Sequence, residues 1–395
     1  MKILYHHRIR SKDGQYVHVE ELTNALRRAG HNLIFVGPRV IERETLGADA
    51  GFVAWLKRHL PHFIYELLEL SYSVFDFLQL AKAIRLHRPD CIYERYNLFL
   101  PSGIWIKKLF RLPLLLEVNA PLFAERLEYD GITLKRLARS VERYTWRGAD
   151  FVLPVTEVLA RIVEMADVQR EKIQVIPNGI DADRFASAPE HEQAKAALNL
   201  TGKFVLGFAG FVREWHGLDR VLEFLAAEQL PDLHLLLVGN GPALRLLEQK
   251  ANELGVAEQL TVTGVIERGD MARYMAAFDV ALQPNVVAYA SPLKLFEYLA
   301  MGHAIIAPDT QNIREILRDG ENALLFDAES DEDFFRCMRR LKDEATLRKQ
   351  IAAGASGTIN ELGLTWDRNA ERVCRLFLAL GINDHIAKDR APEIS

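Results

Sequence analysis

Several features are scarce in this chain, and each scarcity excludes a class of protein. The 395 residues include three cysteines, Cys91, Cys337 and Cys374, which are far apart and lack metal-ligand spacing. This pattern excludes a disulfide framework and indicates a reducing compartment. No run of about 18 uncharged apolar residues is present, so a membrane-spanning helix is not predicted. The formal net charge is −5, with 49 basic and 54 acidic side chains. Such a balance gives no general basic field for nucleic acid.

Residues 1–7 read as a short strand followed by charge, and they lack the apolar core of a signal peptide. We therefore expect a cytoplasmic protein. The segment 52–80 is rich in aromatic residues and leucine, with basic residues near its start. It has two interpretations. A helix resting on the inner face of a membrane would make the protein peripheral. A pair of amphipathic helices packed on the first domain is favoured, because such helices are common in soluble folds.

Short apolar runs alternate with helical patterns along the whole chain, which predicts an α/β protein with parallel sheets. The length exceeds the usual size of one hydrophobic core. Pro177 and the Asn178-Gly179 pair predict a tight reversal, so we place a boundary within about residues 177–200. The predicted domains are 1–180 and 181–365, both Rossmann-like, followed by a bracing helix and tail over 366–395. Two such halves predict a ligand-binding cleft at the carboxyl ends of their strands.

The predicted strands are 2–5, 32–36, 91–93, 114–117, 151–154 and 173–176 in the first half, and 204–209, 234–238, 260–263, 280–283, 304–307 and 323–326 in the second.

Two loops that follow strands are candidate phosphate sites. In the loop 13–18, Gly14 allows close approach of a ligand to the backbone at the start of a helix, although an ordinary turn is the alternative. The loop 207–217 contains Arg213 and His216 where a diphosphate would lie, and arginine suits bidentate phosphate binding. Its alternative is a solvated loop with Arg213 paired to Glu214. The glycine-rich stretch 238–242 lacks GxGxxG spacing and predicts a tight turn.

The segment 290–298 is the most informative. Ser291 is a plausible N-cap with Pro292 at the first helical position. Backbone N–H groups of that first turn can then bind a phosphate, and Lys294 adds positive charge. Glu297, one turn further on, can accept hydrogen bonds from ribose hydroxyls. The alternative is a surface ion pair between Lys294 and Glu297.

The sequence offers little for a metal. Asp181-Ala182-Asp183 has the form of a metal-binding DxD motif, but it lies away from any phosphate-binding loop and is interpreted as turn and helix-cap chemistry. The twelve histidines show no HExxH or comparable spacing. We expect no metal requirement.

Together, the loop at Gly14 and the segments 175–181, 238–242 and 291–298 resemble the retaining GT-B glycosyltransferases. These form the large group 1, or family 4, that includes sucrose synthase and the phosphatidylinositol mannosyltransferases. The resemblance covers nearly the whole chain. It implies a nucleotide-diphosphate sugar bound mainly by the second domain, an acceptor bound by the first, hexose transfer with retention, and no cofactor beyond the donor.

The resemblance also implies roles for individual residues. Glu297 matches the second glutamate of the family's Glu-x7-Glu motif, which holds the ribose, whereas Tyr289 replaces the first. Phe211 and His216 stand where the family has its diphosphate arginine and lysine. We therefore expect Arg213 and Lys294 to take over, with His216 beside them. The other implied donor-side residues are Gly14, Gly210, Ser291, Pro292, Leu293 and Val265. On the acceptor side, Asn119 replaces a histidine, and His18 is the other implied residue.

The expected acceptor is a glycan or a lipid-linked sugar, as in envelope polysaccharide or glycolipid synthesis. A sugar-nucleotide 2-epimerase with the same fold is an alternative. A catalytically silent nucleotide-sugar-binding subunit is another, since Tyr289 departs from the motif. An NAD-dependent dehydrogenase is disfavoured, because no GxGxxG follows a strand.

Overall fold

The computed structural model describes residues 1–9, 14–38 and 59–382. They form two compact units. The first comprises Met1–Pro177 together with the chain from Trp366 onward, and the second comprises Asn178–Thr365. The helix predicted to follow the second sheet therefore belongs to the first unit.

The first unit contains a parallel sheet whose strand order is β2-β1-β3-β4-β5. Its strands are apolar runs with helices in the connections, as parallel sheets require. The strands are β1 (Lys2–His6), β2 (Asn32–Val36), β3 (Cys91–Arg95), β4 (Leu114–Val118) and β5 (Phe151–Pro154). The helices are α1 (Gly14–Arg28), α2 (His62–His87), α3 (Ser102–Phe110), α4 (Leu122–Glu125), which runs into a π-helical turn (Arg126–Asp130), α5 (Lys135–Gly148) and α6 (Glu157–Glu164).

The second unit contains a parallel sheet of order β11-β10-β9-β6-β7-β8. Its strands are β6 (Phe204–Ala209), β7 (Leu233–Val238), β8 (Leu260–Val262), β9 (Val280–Leu282), β10 (Ala304–Pro308) and β11 (Leu324–Phe326). Its helices are α7 (His191–Ala197), α8 (Asp219–Glu228), α9 (Leu244–Glu253), α10 (Met271–Met275), α11 (Leu293–Ala300), α12 (Gln311–Arg314), α13 (Asp331–Asp343) and α14 (Ala345–Leu362). Buried aliphatic side chains cover both faces of the sheet.

Each sheet has one position where the chain reverses its direction of travel across the strands. In the first sheet it lies between β1 and β3, and in the second between β6 and β9. Ligands of open parallel sheets bind outside the carboxyl ends of strands at such switch points. The topology therefore directs attention to the loops that follow these strands.

One predicted strand is wrong. Residues 173–176 run beside β5 but form only a single bridge, between Val152 and Ile173. The backbone N–H of Gln174 donates to Val152, and that of Ile176 donates to Pro154. Pro154 has no N–H with which to continue the ladder, so regular pairing stops there.

The last described helix, α15 (Trp366–Ala379), packs within the first unit. The guanidinium of Arg28 on α1 lies 2.7 Å from a carboxylate oxygen of Asp367. The ring of His18 lies 4.9 Å, centroid to centroid, from that of Trp366. The start of α15 thus covers the predicted acceptor-side histidine.

The aromatic segment predicted over 52–80 is described only from residue 59, where it forms the long helix α2. Its first residues lie outside the described part. Several large apolar side chains of α2 are exposed, namely Phe63, Leu67, Leu68, Val74, Phe75 and Leu78. Within the described residues, no helix combines the length and apolar character needed to cross a bilayer.

Candidate functional site

The carboxyl ends of β6 and β9 are held apart by one buried side chain. Backbone pairing between these strands ends at Gly207 and Ala281. Beyond that point, the Tyr298 hydroxyl accepts a hydrogen bond from the N–H of Ala209 at 2.9 Å and donates to the carbonyl of Leu282 at 3.3 Å. Tyr298, on α11, thus bridges the two strands where their backbone pairing has ended.

Glycines follow β6 and β7 at their carboxyl ends. Gly210 follows β6 with φ +125°, and Gly239 follows β7 with φ +141°. A Cβ at Gly239 would lie 2.2 Å from the carbonyl oxygen of Gly210, so the two loops contact each other through bare backbone. A Cβ at Gly210 would lie 3.4 Å from Cε of Lys294. These positions require glycine because of both conformation and space.

Lys294 and His216 meet beside the Gly210 loop. Nζ of Lys294 lies 3.2 Å from Nε2 of His216 and 3.9 Å from the ring centroid of Phe208. Burial lowers the pKa of Lys294 to about 7, and the nearby Glu297 carboxylate opposes that shift. Burial, with a further contribution from Lys294, lowers the pKa of His216 to about 2. The imidazole is therefore neutral.

The hydrogen bonds of His216 decide which nitrogen carries its proton. The backbone N–H of Arg213 lies 3.0 Å from Nδ1, and a backbone amide can only donate. Nδ1 must therefore accept, which leaves the proton on Nε2. That N–H points at Lys294, whose nitrogen can accept it only as a free amine. The geometry and the lowered pKa of Lys294 agree.

Arg213 has an exposed side chain whose guanidinium lies 5.2 Å from the ring centroid of Phe211. In the described part of the chain it makes no ion pair, so its predicted alternative partnership with Glu214 is wrong. Lys294 contacts His216 and forms no ion pair with Glu297, so the predicted alternative of a surface ion pair between them is also wrong. The side chains of Arg213 and Lys294 therefore remain available to an anion.

The start of α11 differs from the prediction. The helix begins at Leu293, and Pro292 precedes it as the N-cap with no side-chain hydrogen bond. Ser291 is therefore not the N-cap, because its hydroxyl accepts a hydrogen bond from the N–H of Asn178. The Asn178 amide also donates to the Ser291 carbonyl at 2.6 Å. The side chain that would cap the helix is engaged elsewhere, and the first N–H groups of α11 have no side-chain partner.

Glu297 lies one turn beyond Lys294 on α11. Burial raises the pKa of Glu297, while the guanidinium groups of Arg268 and Arg184 oppose that shift. Arg184 also donates to the carbonyl of Arg268 at 3.2 Å. Neither arginine was predicted, because each belongs to a segment distant in sequence. Val265, in the same loop as Arg268, is 65% exposed at the carboxyl edge of β8.

The predicted acceptor-side residues of the first unit meet at Glu117, at the end of β4. Nε2 of His18 lies 3.3 Å from a Glu117 carboxylate oxygen, and the Asn119 amide donates to the other oxygen. Arg95 pairs with the same carboxylate. Burial would raise the pKa of Glu117, but His18 and Arg95 hold it far below its usual range. The sequence did not identify Glu117, whose role depends on contacts from α1 and β3 as well as from Asn119 in the loop that follows β4.

A second buried cluster lies at the switch point of the first sheet and was also missed. His6 bonds to Glu94 at 2.8 Å and pairs with Asp76 at 3.1 Å. Burial would lower the pKa of His6, but these carboxylates outweigh it and raise that pKa to about 10. The Ser102 hydroxyl donates to Asp76 at 2.6 Å. The four side chains are hydrogen-bonded or ion-paired with one another, so the cluster stabilises the packing at the carboxyl ends of β1 and β3.

The structure also shows where the remaining predicted positions lie. Gly14 is the first residue of α1, and residues 10–13 before it lie outside the described part. Tyr289 lies in the loop between β9 and α11 and is partly buried. Asp181 and Asp183 belong to a short 3-10 turn, and the Asp181 side chain does not cap it. Among the residues that the structure describes, no group of three or more metal-ligating side chains converges.

Comparison with family models identifies both units. Residues 190–357 match the model described as glycosyl transferases group 1. Residues 12–184 match the one described as glycosyltransferase family 4. The two matches adjoin in sequence and together span most of the chain.

Among curated proteins, the phosphatidyl-myo-inositol mannosyltransferase of Mycobacterium tuberculosis is 32% identical over 165 residues, which cover 41% of this chain and 42% of that protein. The D-inositol 3-phosphate glycosyltransferase of Thermomonospora curvata is 27% identical over 256 residues, covering 60% of this chain and 58% of that protein. The chain spans about half the length of the curated relatives it matches.

Among solved structures, HepE of Anabaena in complex with UDP superposes with a TM-score of 0.74 at 18% identity, covering 96% of this chain and all of that one. At that identity the likeness shows the fold, which is GT-B. The fold prediction and the predicted family are confirmed. With both units matched, the chain belongs to the group 1, or family 4, glycosyltransferases of GT-B fold.

Proposed function

We propose that this protein transfers a hexose from a nucleotide-diphosphate sugar to an acceptor hydroxyl. The observation that carries the proposal is the arrangement at the start of α11. A free lysine amine, an exposed arginine and uncapped backbone N–H groups lie at the switch point, with a carboxylate one turn further on. That combination suits a diphosphate followed by a ribose.

Lys294 and Arg213 would stabilise the departing diphosphate. The bond from the anomeric carbon to the phosphate oxygen breaks, and a bond to the acceptor oxygen forms. The acceptor proton passes to the leaving phosphate oxygen. Negative charge that develops on the diphosphate meets the Lys294 ammonium, the Arg213 guanidinium and the N–H groups at Leu293 in a partly desolvated site. Retention of anomeric configuration follows if departure and attack occur on the same face of the sugar.

Glu297 would accept hydrogen bonds from the ribose hydroxyls. Arg268 and Arg184 support this role, because their charges favour the ionised carboxylate that burial disfavours. Tyr289 would lie near the donor sugar in place of a carboxylate, with Gly210, Pro292 and Val265 lining the nucleotide. Solved structures of HepE contain UDP and UDP-glucose, which makes uridine nucleotides the first donors to test.

The acceptor would be a glycan or a lipid-linked sugar bound by the first unit. Asn119 and His18, fixed by Glu117, lie at the carboxyl edge of its sheet. A relative is named for transfer to phosphatidyl-myo-inositol, which supports a lipid-linked acceptor. The exposed apolar side chains of α2 support peripheral contact with a membrane at its inner face. Such acceptors belong to cell-envelope glycolipid or polysaccharide synthesis. We also propose that catalysis needs no metal, because cationic side chains supply the charge.

The test is a mass-spectrometric screen of purified protein. UDP-, GDP-, ADP- and dTDP-sugars are incubated with and without mixed glycan and lipid acceptors, in the presence of chelator. The proposal expects acceptor-dependent release of one nucleoside diphosphate together with a glycosylated product. NMR of the product then gives its anomeric configuration. The matched variants are Glu297→Gln, which should lose activity, and Glu253→Gln on the exposed end of α9, which should not.

The two alternatives give different outcomes in the same screen. Isomerised donor without acceptor would identify a sugar-nucleotide 2-epimerase. Donor binding without turnover under any acceptor would identify a silent nucleotide-sugar-binding subunit. Restoration of lost activity by Mg²⁺ or Mn²⁺ would contradict the metal-independent mechanism.

A further inference from the structure

A basic groove lies on the first unit, at the edge of its sheet opposite to the one that carries Asn119 and His18. It has a volume of about 660 Å³ and is lined by Lys108, Ser140, Arg143, Tyr144, Arg147 and Gly148. Its walls are the carboxyl ends of α3 and α5, which precede β4 and β5. The groove therefore opens at the amino edge of the sheet, whereas Asn119 and His18 belong to the carboxyl edge.

Positive charge at the groove is only partly balanced by acidic neighbours. Within the described residues, Arg143 pairs with Asp167, and Lys107 pairs with Asp150 at 2.7 Å. Lys108 and Arg147 line the same groove, are exposed and make no ion pair with a described carboxylate. The chain as a whole has a net charge of −5, so this positively charged surface is opposite in sign to the protein as a whole.

The sequence of α5 continues that charge along the helix. Lys135, Arg139, Arg143 and Arg147 follow one another at intervals of four residues. Like charges at that spacing destabilise a helix by about 0.2–0.5 kcal/mol per pair. The one acidic side chain of α5, Glu142, is buried and accepts a hydrogen bond from Tyr96, so it does not neutralise the row. An anion bound along the helix would relieve the repulsion.

The helix ends explain only part of this pattern. Cations in the last turn of a helix are stabilised by its dipole, which accounts for Lys107, Lys108 and Arg147. The effect falls off within one turn, so it does not account for Arg139, whose guanidinium lies 5.0 Å from the ring centroid of Phe123, or for Arg143, which pairs with Asp167. Nε of Arg143 is also buried and has no hydrogen-bond partner among the described residues.

The groove offers several hydrogen-bond donors of the kinds that bind phosphate groups. Nζ of Lys108 lies 3.2 Å from the Tyr144 hydroxyl and 4.7 Å from the centroid of its ring. Tyr144 accepts from Lys108 and still has its own proton to donate. The guanidinium of Arg147 offers a planar pair of donors, which fits phosphate oxygens. Ser140 donates its proton to the Arg136 carbonyl and is left as an acceptor only.

We propose that this groove binds a phosphate-bearing ligand at a site separate from the candidate donor site. Lys108, Tyr144 and Arg147 hold one phosphate group, and the row along α5 attracts further negative charge. The chemistry is common to phospholipid headgroups and to soluble phosphates, and the experiment below distinguishes the two. The inference does not depend on the proposed transferase activity, because binding is measured directly.

The test compares two double variants of the full chain. Lys108→Gln/Arg147→Gln neutralises the groove, and Arg273→Gln/Lys349→Gln removes the same charge from exposed positions of the second unit. All proteins carry Lys294→Ala, so that the candidate diphosphate site contributes less. Each is sedimented with vesicles of phosphatidylglycerol in phosphatidylcholine and, separately, titrated calorimetrically with pyrophosphate. Circular dichroism verifies that every variant is folded.

We expect the groove variant to bind about 30-fold more weakly, since each lost cation contributes roughly a factor of five near an anionic surface. The control variant should match its parent. Loss confined to vesicles identifies lipid headgroups, and loss confined to pyrophosphate identifies a soluble phosphate. The proposal would be overturned if both double variants bound the probes equally well. It would also be overturned if the Lys294→Ala parent bound neither the vesicles nor pyrophosphate.

Discussion

The Nε2–H group of His216 donates a hydrogen bond to the amine of Lys294 across 3.2 Å, because the Arg213 amide occupies the other ring nitrogen. A phosphate group that enters the site would turn the amine into an ammonium ion. The lysine whose charge the proposed reaction needs is thus partly in the neutral amine form near pH 7, until an anion arrives.

This relationship predicts proton uptake on binding. The pKa of Lys294 is lowered to about 7, so in the free protein the ammonium form dominates only below that pH. A bound diphosphate favours the charged form and raises that pKa. Binding should take up about half a proton near pH 7 and close to one proton at about pH 8–9, and affinity should fall as the pH rises over that range. Calorimetry in buffers of different ionisation enthalpy measures the uptake. Lys294→Met should abolish it, and an unchanged uptake in this variant would contradict the assignment.

Tyr298→Phe tests the bridge between β6 and β9. Removal of the hydroxyl leaves the Ala209 N–H and the Leu282 carbonyl without their partner in a buried position. We expect the free energy of unfolding to fall by about 1–3 kcal/mol. Urea denaturation followed by circular dichroism measures it. Tyr274→Phe, at a partly buried tyrosine of α10, is the matched control, and an equal effect in both variants would refute the bridging role.

Gly239→Ala tests the contact of the two glycine loops. The added Cβ would meet the Gly210 carbonyl oxygen at 2.2 Å, and φ is +141°. The backbone must shift, so both thermal stability and nucleoside diphosphate affinity should fall. Gly255 also has a positive φ, but a Cβ there meets nothing within 4 Å. Gly255→Ala should therefore lower stability by roughly 1 kcal/mol and leave affinity unchanged. If Gly239→Ala behaves like Gly255→Ala, the loops are not tightly packed.

Glu117→Gln tests the acceptor-side cluster. The substitution leaves the buried Arg95 without a counter-charge, which typically costs about 3–5 kcal/mol. The pKa of Glu117 is held far below its usual range, so its ionised form stabilises the fold above the unfolded-state pKa of roughly 4.3. That contribution is lost as the pH falls below this value. The free energy of unfolding should therefore fall more steeply between pH 7 and pH 3 in the wild type than in the variant. Parallel slopes would contradict the depressed pKa.

The sequence predicted most of the architecture because its signals are local. Apolar runs such as 204–209 coincide with a strand to the residue, and the turn around Pro177 precedes the start of the second unit. The exception at residues 173–176 arises from Pro154 in the neighbouring strand β5. A prediction made from residues 173–176 alone does not take that proline into account.

The site was predicted less completely, for a different reason. Lys294 and Glu297 were found because they share one helix with the spacing of a single turn. Glu117, Arg184 and Arg268 were missed because each acts on a residue from another element. Ser291 was assigned as a cap from its position before a proline, but a backbone amide more than a hundred residues away takes its hydroxyl. Contacts of this kind exist only in the folded chain.

The most direct test of the central claim is equilibrium binding of UDP, GDP, ADP and dTDP to four proteins: the wild type, Glu297→Gln, Lys294→Met and the control Glu253→Gln. We expect the wild type and the Glu253→Gln control to bind one of these nucleotides equally well. Glu297→Gln and Lys294→Met should bind it at least about tenfold more weakly. Absence of binding by every nucleotide, or equal binding by all four proteins, would contradict a donor site at α11.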